Sequence, residues 1–162
     1  MRALFFFLLI LPLTCPAKEG EPHVITLGDA VSITLPAGWA YVQKGKHGLV
    51  GPEGAPLAEI GYVEIKLNQP VPIHHSDAAT FVQNNLKIAT CEDLDGDRVL
   101  GHIAQRDADV EHHYWNIATV IDEQHIAVLL IGMETGIGHP NIVSVVDQLA
   151  RSARFVSHKP KT

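Results

Sequence analysis

The residues best suited to chemistry lie between positions 107 and 113, where Asp107, Asp109, Glu111, His112 and His113 crowd together, with a second pair at His74-His75. If 107–113 is one strand, the two-residue alternation puts Asp107, Asp109, Glu111 and His113 on one face. A zinc site wants three or four nitrogen, oxygen or sulfur donors converging at about 2.0–2.3 Å. Neighbouring strand residues point to opposite faces, so His112 and His113 do not both reach one ion. None of the ten histidines stands in His-x-x-x-His or His-Glu-x-x-His spacing. The expectation is therefore a polar, solvated face with no bound metal, and a metal-binding or hydrolytic centre on this strand is the alternative.

The run Asp93-Leu94-Asp95-Gly96-Asp97 invites a calcium reading. A helix-flanked calcium loop needs glycine sixth and a bidentate glutamate twelfth. Here glycine comes fourth and the twelfth residue is Ala104, so the match fails and an acidic turn is expected. No serine stands in Gly-x-Ser-x-Gly, and Ser76, between His74-His75 and Asp77, is better placed to cap a helix than to attack a substrate. Cys91 has no recognisable catalytic flank. The glycine-rich stretch 132–138 lacks the lysine and the spacing of a phosphate cradle, and Glu134 would repel phosphate. No catalytic residue and no cofactor are expected.

These residues must be positioned by strands and two helices. His23–Leu27 and Val31–Leu35 alternate as strands. Pro36-Ala37-Gly38 turns the chain into an extended segment from Trp39, and both Trp39 and Trp115 are assigned to the core. Residues 45–56 carry six glycines and prolines around Leu49-Val50 and read as turns. Ala58–Leu67, Arg98–Arg106 and Ala108–Ile121 read as strands, and 125–133, apolar on both faces, as a central strand covered on each side. Ala78, Val82, Leu86 and Ala89 form a helical stripe capped by Ser76 or Asp77, and Ile142, Val145, Val146, Leu149 and Ala153 form another after Pro140. Strands, helix, strands, helix is the order of an α+β fold, expected here as a single antiparallel sheet flanked by helices.

Residues 1–17 place one arginine before an apolar run ending in small residues, the order of a cleaved secretory signal peptide. The run is shorter than the roughly 20 residues that span a bilayer. Export to the periplasm follows, with no stable membrane insertion after cleavage, one domain over 18–156 and a tail over 157–162. Cys15 leaves with the signal, so Cys91 is the one mature thiol, expected buried. Thr14 before Cys15 disfavours a lipid anchor. The whole chain has 12 Lys and Arg against 18 Asp and Glu, a net charge of −6, and loss of Arg2 adds one more negative unit. Such a surface repels nucleic acid.

The phrase Val-Ser-Ile-Thr-Leu-Pro-Ala-Gly-Trp, residues 31–39, resembles the opening of the PsbP-like (DcrB-like) superfamily. The long apolar hairpin over 112–133 and the closing helix running into Ser152-Ala153-Arg154-Phe155 resemble its ending. The resemblance implies an α/β/α sandwich in a small bacterial envelope protein that binds other proteins. Under that reading the chain is a monomer or weak homo-oligomer, an accessory factor or an immunity protein against a delivered toxin. Its candidate partner-binding residues are Asp95, Asp97, Asp107, Asp109, Glu111, His113 and Tyr114.

Overall fold

A computed structural model describes residues 20–28, 30–44, 47–54, 62–72, 77–122, 125–136 and 140–156. The expected signal, the tail, His74-His75, Ser76, residues 58–61 and positions 137–138 of the glycine-rich stretch lie outside the described residues. The strands are β1 (His23–Leu27), β2 (Val31–Leu35), β3 (Trp39–Lys44), β4 (His47–Pro52), β5 (Tyr62–Pro72), β6 (Glu92–Asp93), β7 (Arg98–Asp107), β8 (Val110–Asp122), β9 (His125–Gly136) and β10 (Arg154–Phe155). The helices are α1 (Ala78–Leu86), between β5 and β6, and α2 (Pro140–Ser152), between β9 and β10.

The architecture is α+β, but the sheet is not single. A seven-stranded antiparallel sheet runs β3-β4-β5-β9-β8-β7-β6, and β1-β2-β10 form a separate three-stranded sheet. The reason lies at Pro36-Ala37-Gly38. Trp39 N–H donates to the Pro36 carbonyl at 3.1 Å and Gly38 takes φ +71°, a tight turn that sends β3 away from β2. The segment at 45–56 also departs from its turn reading, because His47–Pro52 pairs with β3 along its whole length. Glycines 48 and 51 serve this strand; a Cβ on Gly48 would sit 2.0 Å from the Tyr41 ring that covers it.

The two faces of the large sheet are covered differently. Trp115, Ile117, Leu129, Ile131 and Met133 pack against Val146, Leu149 and Ala150 of α2 and against Val31, Ile33 and Leu35 of the small sheet. The opposite face carries Ala118, Ile126 and Val128 under Ala78 and Val82 of α1. The doubly apolar β9 is thus central and buried on both sides, as its composition requires. Asp77 caps α1, accepting from Thr80 N–H at 2.7 Å, a bond that lowers its pKa. Lys87 ends the helix in the left-handed region, so Ala89 lies beyond it. Trp39 and Trp115 are buried, as expected.

Backbone geometry at Gly101 of β7 and at Ala108 in the turn after it has consequences of opposite sign. A Cβ at Gly101 would lie 2.5 Å from Val82 Cγ1 and 2.9 Å from Ile88 Cδ1, so glycine lets α1 close on the sheet. Ala108 holds φ +50° in the two-residue turn to β8, a region that costs an L-residue about 1–2 kcal/mol. Gly101→Ala should therefore destabilise by about 1–3 kcal/mol through overpacking. Ala108→Gly should stabilise by about 0.5 kcal/mol once the unfolded chain's added freedom is subtracted. Urea denaturation of both variants checks the signs.

Candidate functional site

The β7–β8 hairpin, closed at Ala108 and Asp109, sets the site. Its register places His102 opposite Trp115, Ala104 opposite His113 and Asp107 opposite Val110. On the face toward α2, three rings stack: His102 on Trp115 with centroids 4.5 Å apart and planes 10° from parallel, and His102 on His113 at 5.4 Å and 8°. His102 Nε2 and His113 Nδ1 are 3.1 Å apart and share a hydrogen bond. His113 is buried, and its Nε2 finds no hydrogen-bond partner, although Glu111 Oε2 lies 3.5 Å away.

A second polar chain meets this stack from α2. Trp115 Nε1–H donates to Asp147 Oδ1 at 3.0 Å, and Asp147 Oδ2 accepts from Arg151 Nε–H at 2.6 Å. Arg151 then donates both terminal nitrogens to the Glu92 carboxylate, at 2.6 and 2.8 Å. This two-pronged geometry holds Glu92 below its ordinary pKa and Arg151 firmly protonated. Glu92, His102, Asp147 and Arg151, with Cys91, line a depression of about 320 Å³. His102 is held below the ordinary histidine pKa, first by desolvation and then by the neighbouring His113. A neutral His102 can donate one ring proton and accept another, so the depression offers hydrogen bonds together with two carboxylates and one guanidinium.

The opposite face of the same hairpin holds a groove of about 330 Å³, lined by Asn85, Lys87, Ile103, Gln105, Tyr114 and Asn116 among others. Asn85 Nδ2–H donates to Asn116 Oδ1 at 3.0 Å, while the fully buried Asn116 Nδ2 has no acceptor.

The seven residues singled out from sequence do not form one patch. Asp95 and Asp97 stand at the start of β7, and Asp107 and Asp109 at its end, roughly 30 Å away at about 3.3 Å per residue. The shared face expected for Asp107, Asp109, Glu111 and His113 is overturned, because the chain reverses between Asp107 and Val110. Asp107 goes to the α1 side while Glu111 and His113 stay on the α2 side. Asp95 is engaged by Arg98, which donates at 2.9 and 2.6 Å and lowers the carboxyl's pKa. Asp93 Oδ1 accepts from Gly96 N–H at 2.6 Å, so the acidic run is a turn, as expected. Tyr114 shares its face with His112 and Asn116, and His112 Nδ1 meets Glu134 at 3.4 Å.

Among the described residues, no three His, Cys, Asp or Glu side chains converge to hold a metal ion. Cys91 is half-buried, its thiol donates to the Ala79 carbonyl at 3.6 Å, and burial followed by the Asp77 charge raises its pKa. That is the reverse of an activated nucleophile. His102, Glu92, Asp147 and Arg151 were not singled out from the sequence. The i,i+4 spacing of Asp147 and Arg151 was the available signal, and His102 required the hairpin register.

The chain matches no protein-family model and no curated protein. Among solved structures it is similar to a protein of Bacteroides thetaiotaomicron, with 13% identity, a TM-score of 0.57 and coverage of 89% of this chain and 51% of that one. The chain thus spans about half the length of that protein. It is also similar to the Saccharomyces cerevisiae Ran-binding protein Mog1p, at 11% identity and TM-score 0.48 over 84% of this chain and 96% of that one. A cyanobacterial PsbP from Synechocystis aligns at 12% identity and TM-score 0.41 over 83% and 92%. At 13% identity, the likeness to the Bacteroides thetaiotaomicron protein shows the fold alone. Among the described residues, no helix is long and apolar enough to cross a membrane.

The lowered pKa of His102 has a pH consequence. Its folded pKa lies below the 6.5 of an ordinary histidine, so the unfolded chain binds the proton more readily. The stabilisation is complete above about pH 6.5 and is lost as pH falls through the folded value. After desolvation, the charges that act on the ring are those of His113 and Arg151, which lower its pKa, and of Asp147, which raises it. His102→Phe keeps a ring on Trp115 and removes the titration. Its stability loss between about pH 7.5 and about pH 5 should be smaller than that of the parent, as read by urea midpoints.

Proposed function

We propose that this chain is an exported, non-catalytic protein-binding domain of the bacterial periplasm. The role it suits best is that of an immunity protein occluding a delivered toxin, with an accessory factor of an envelope complex as the other setting for the same binding. The observation that carries the reading is the tip of the β7–β8 hairpin. Every residue from Ala104 to Val110 is exposed, and the Asp107 and Asp109 carboxylates form no ion pair among the described residues. Unpaired carboxylates on an exposed hairpin turn at the end of the sheet suit contact with a basic surface, and the acidic charge of the whole chain accelerates such an encounter. Glu111 and Tyr114 flank the turn on opposite faces. Export rests on the order of residues 1–17.

Affinity capture with the tagged chain from its own periplasmic extract should recover a basic protein in stoichiometric amount. Asp107→Lys combined with Asp109→Lys should slow association with that protein by about tenfold or more at low salt, and less at high salt. Recovery of no stoichiometric partner, or association unaffected by the double substitution, would overturn the reading.

A further inference from the structure

The sheet edge at β7 points to a second ligand surface, which adjoins the acidic tip at Asp107. β6 pairs with β7 only at Val99 and Leu100, so beyond Leu100 the strand has no neighbour on its outer side among the described residues. The two-residue turn makes Asp107–Val110 a hydrogen-bonded pair, so odd-numbered residues of β7 bond inward to β8 and even-numbered ones face outward. The Leu94 N–H donating to the Arg98 carbonyl at 2.9 Å agrees with that parity. His102, Ala104 and Arg106 therefore present backbone N–H and C=O groups to solvent.

Edges of this length are ordinarily blunted by proline, a bulge or a covering element. β7 has no proline, and its register with β8 is unbroken from Arg98 to Asp107. We propose that this edge pairs with the same edge of a second copy of the chain, antiparallel, about a two-fold axis at Gln105. Ala104 then exchanges both backbone bonds with Arg106 of the second copy, and Arg106 with its Ala104.

The side chains flanking that register are complementary in size and charge. On the α2 side, Ala104 leaves room for the stem of Arg106 from the second copy. The guanidinium is then directed diagonally toward His102 and the depression that carries Glu92 and Asp147. Arg106 forms no ion pair within its own chain among the described residues, and the depression holds two carboxylates against one arginine. On the α1 side, Asp107 of the second copy comes opposite Ile103, beside the groove that the exposed Lys87 lines. Each contact occurs twice by symmetry. This association goes beyond the toxin-binding reading and does not rest on it.

Sedimentation of the purified chain should show concentration-dependent dimerisation. Ala104→Pro removes only an outward-facing N–H, which the fold does not use, and should weaken dimerisation by about tenfold or more. In a Cys91→Ser background, Gln105→Cys should cross-link to a covalent dimer on mild oxidation, because facing residues at the axis lie about 4.5 Å apart at Cα. Val24→Cys, exposed on β1, should not. A parent chain that stays monomeric up to about 1 mM overturns the proposal. So does an Ala104→Pro variant that folds and dimerises like the parent. If that variant does not fold, Gln105→Cys cross-linking no faster than Val24→Cys overturns it.

Discussion

The arrangement of the molecule depends on one buried cation. Arg98, at the first position of β7, is 6% exposed, and its guanidinium is shared among three recipients. It donates to the Asp95 carboxylate, to the Arg151 carbonyl at 3.1 Å and to the Ala153 carbonyl. A buried charge is tolerable only when paired and hydrogen-bonded, and these recipients meet that condition. Two of them are carbonyls at the end of α2, groups that a helix terminus leaves without internal partners. The same side chain therefore caps the helix, pairs with Asp95 of the acidic turn and fixes the end of α2 against the start of β7.

That fixation reaches both sheets. Immediately after the carbonyls held by Arg98 the chain enters β10, whose Arg154 and Phe155 pair with Ser32 and Val31 of β2. Ser152 reinforces the join, its Oγ accepting from Thr34 N–H at 2.9 Å. The small sheet is thereby held over Trp115 and Ile117 of the large one. One turn back along α2, Arg151 and Asp147 reach across to Glu92 and Trp115. The geometry of the histidine stack and its depression is thus inherited from the position of one helix, and that position from Arg98.

Much of this order is written in local pattern. The alternation of 31–35, the helical stripe at 142–153 and the doubly apolar 125–133 each follow from burial on one or both faces, and each element stands where its pattern puts it. The division into two sheets is not written there, since it follows from the direction in which a Pro-Ala-Gly turn sends the chain. Residues 47–52 were obscured for a related reason. Glycine weakens a strand signal, yet Gly48 is a pairing residue whose missing side chain is replaced by the Tyr41 ring. The candidate site suffered most. Glu92, His102 and the Asp147–Arg151 pair lie on three different elements, and only tertiary register brings them together.

The turn at Ala108 and Asp109 decides how those residues are read. A strand continued through it would line up Asp107, Asp109, Glu111 and His113 as a ladder of ligands. Turning instead at an alanine, which carries neither the glycine nor the asparagine that marks such turns, transfers Asp107 to the opposite face. It also carries His102 alongside Trp115, where partial burial lowers the pKa of its ring. Because side-chain direction alternates strictly, a shift of one residue would reverse every assignment on the strand that slipped. The apparent metal-ligand pattern and the observed aromatic-histidine stack share His113, which the turn places beside His102 and Trp115 instead of in line with Asp107. Gly101, which lies under α1 on one face, and Trp115, which bonds to Asp147 on the other, both favour the observed register.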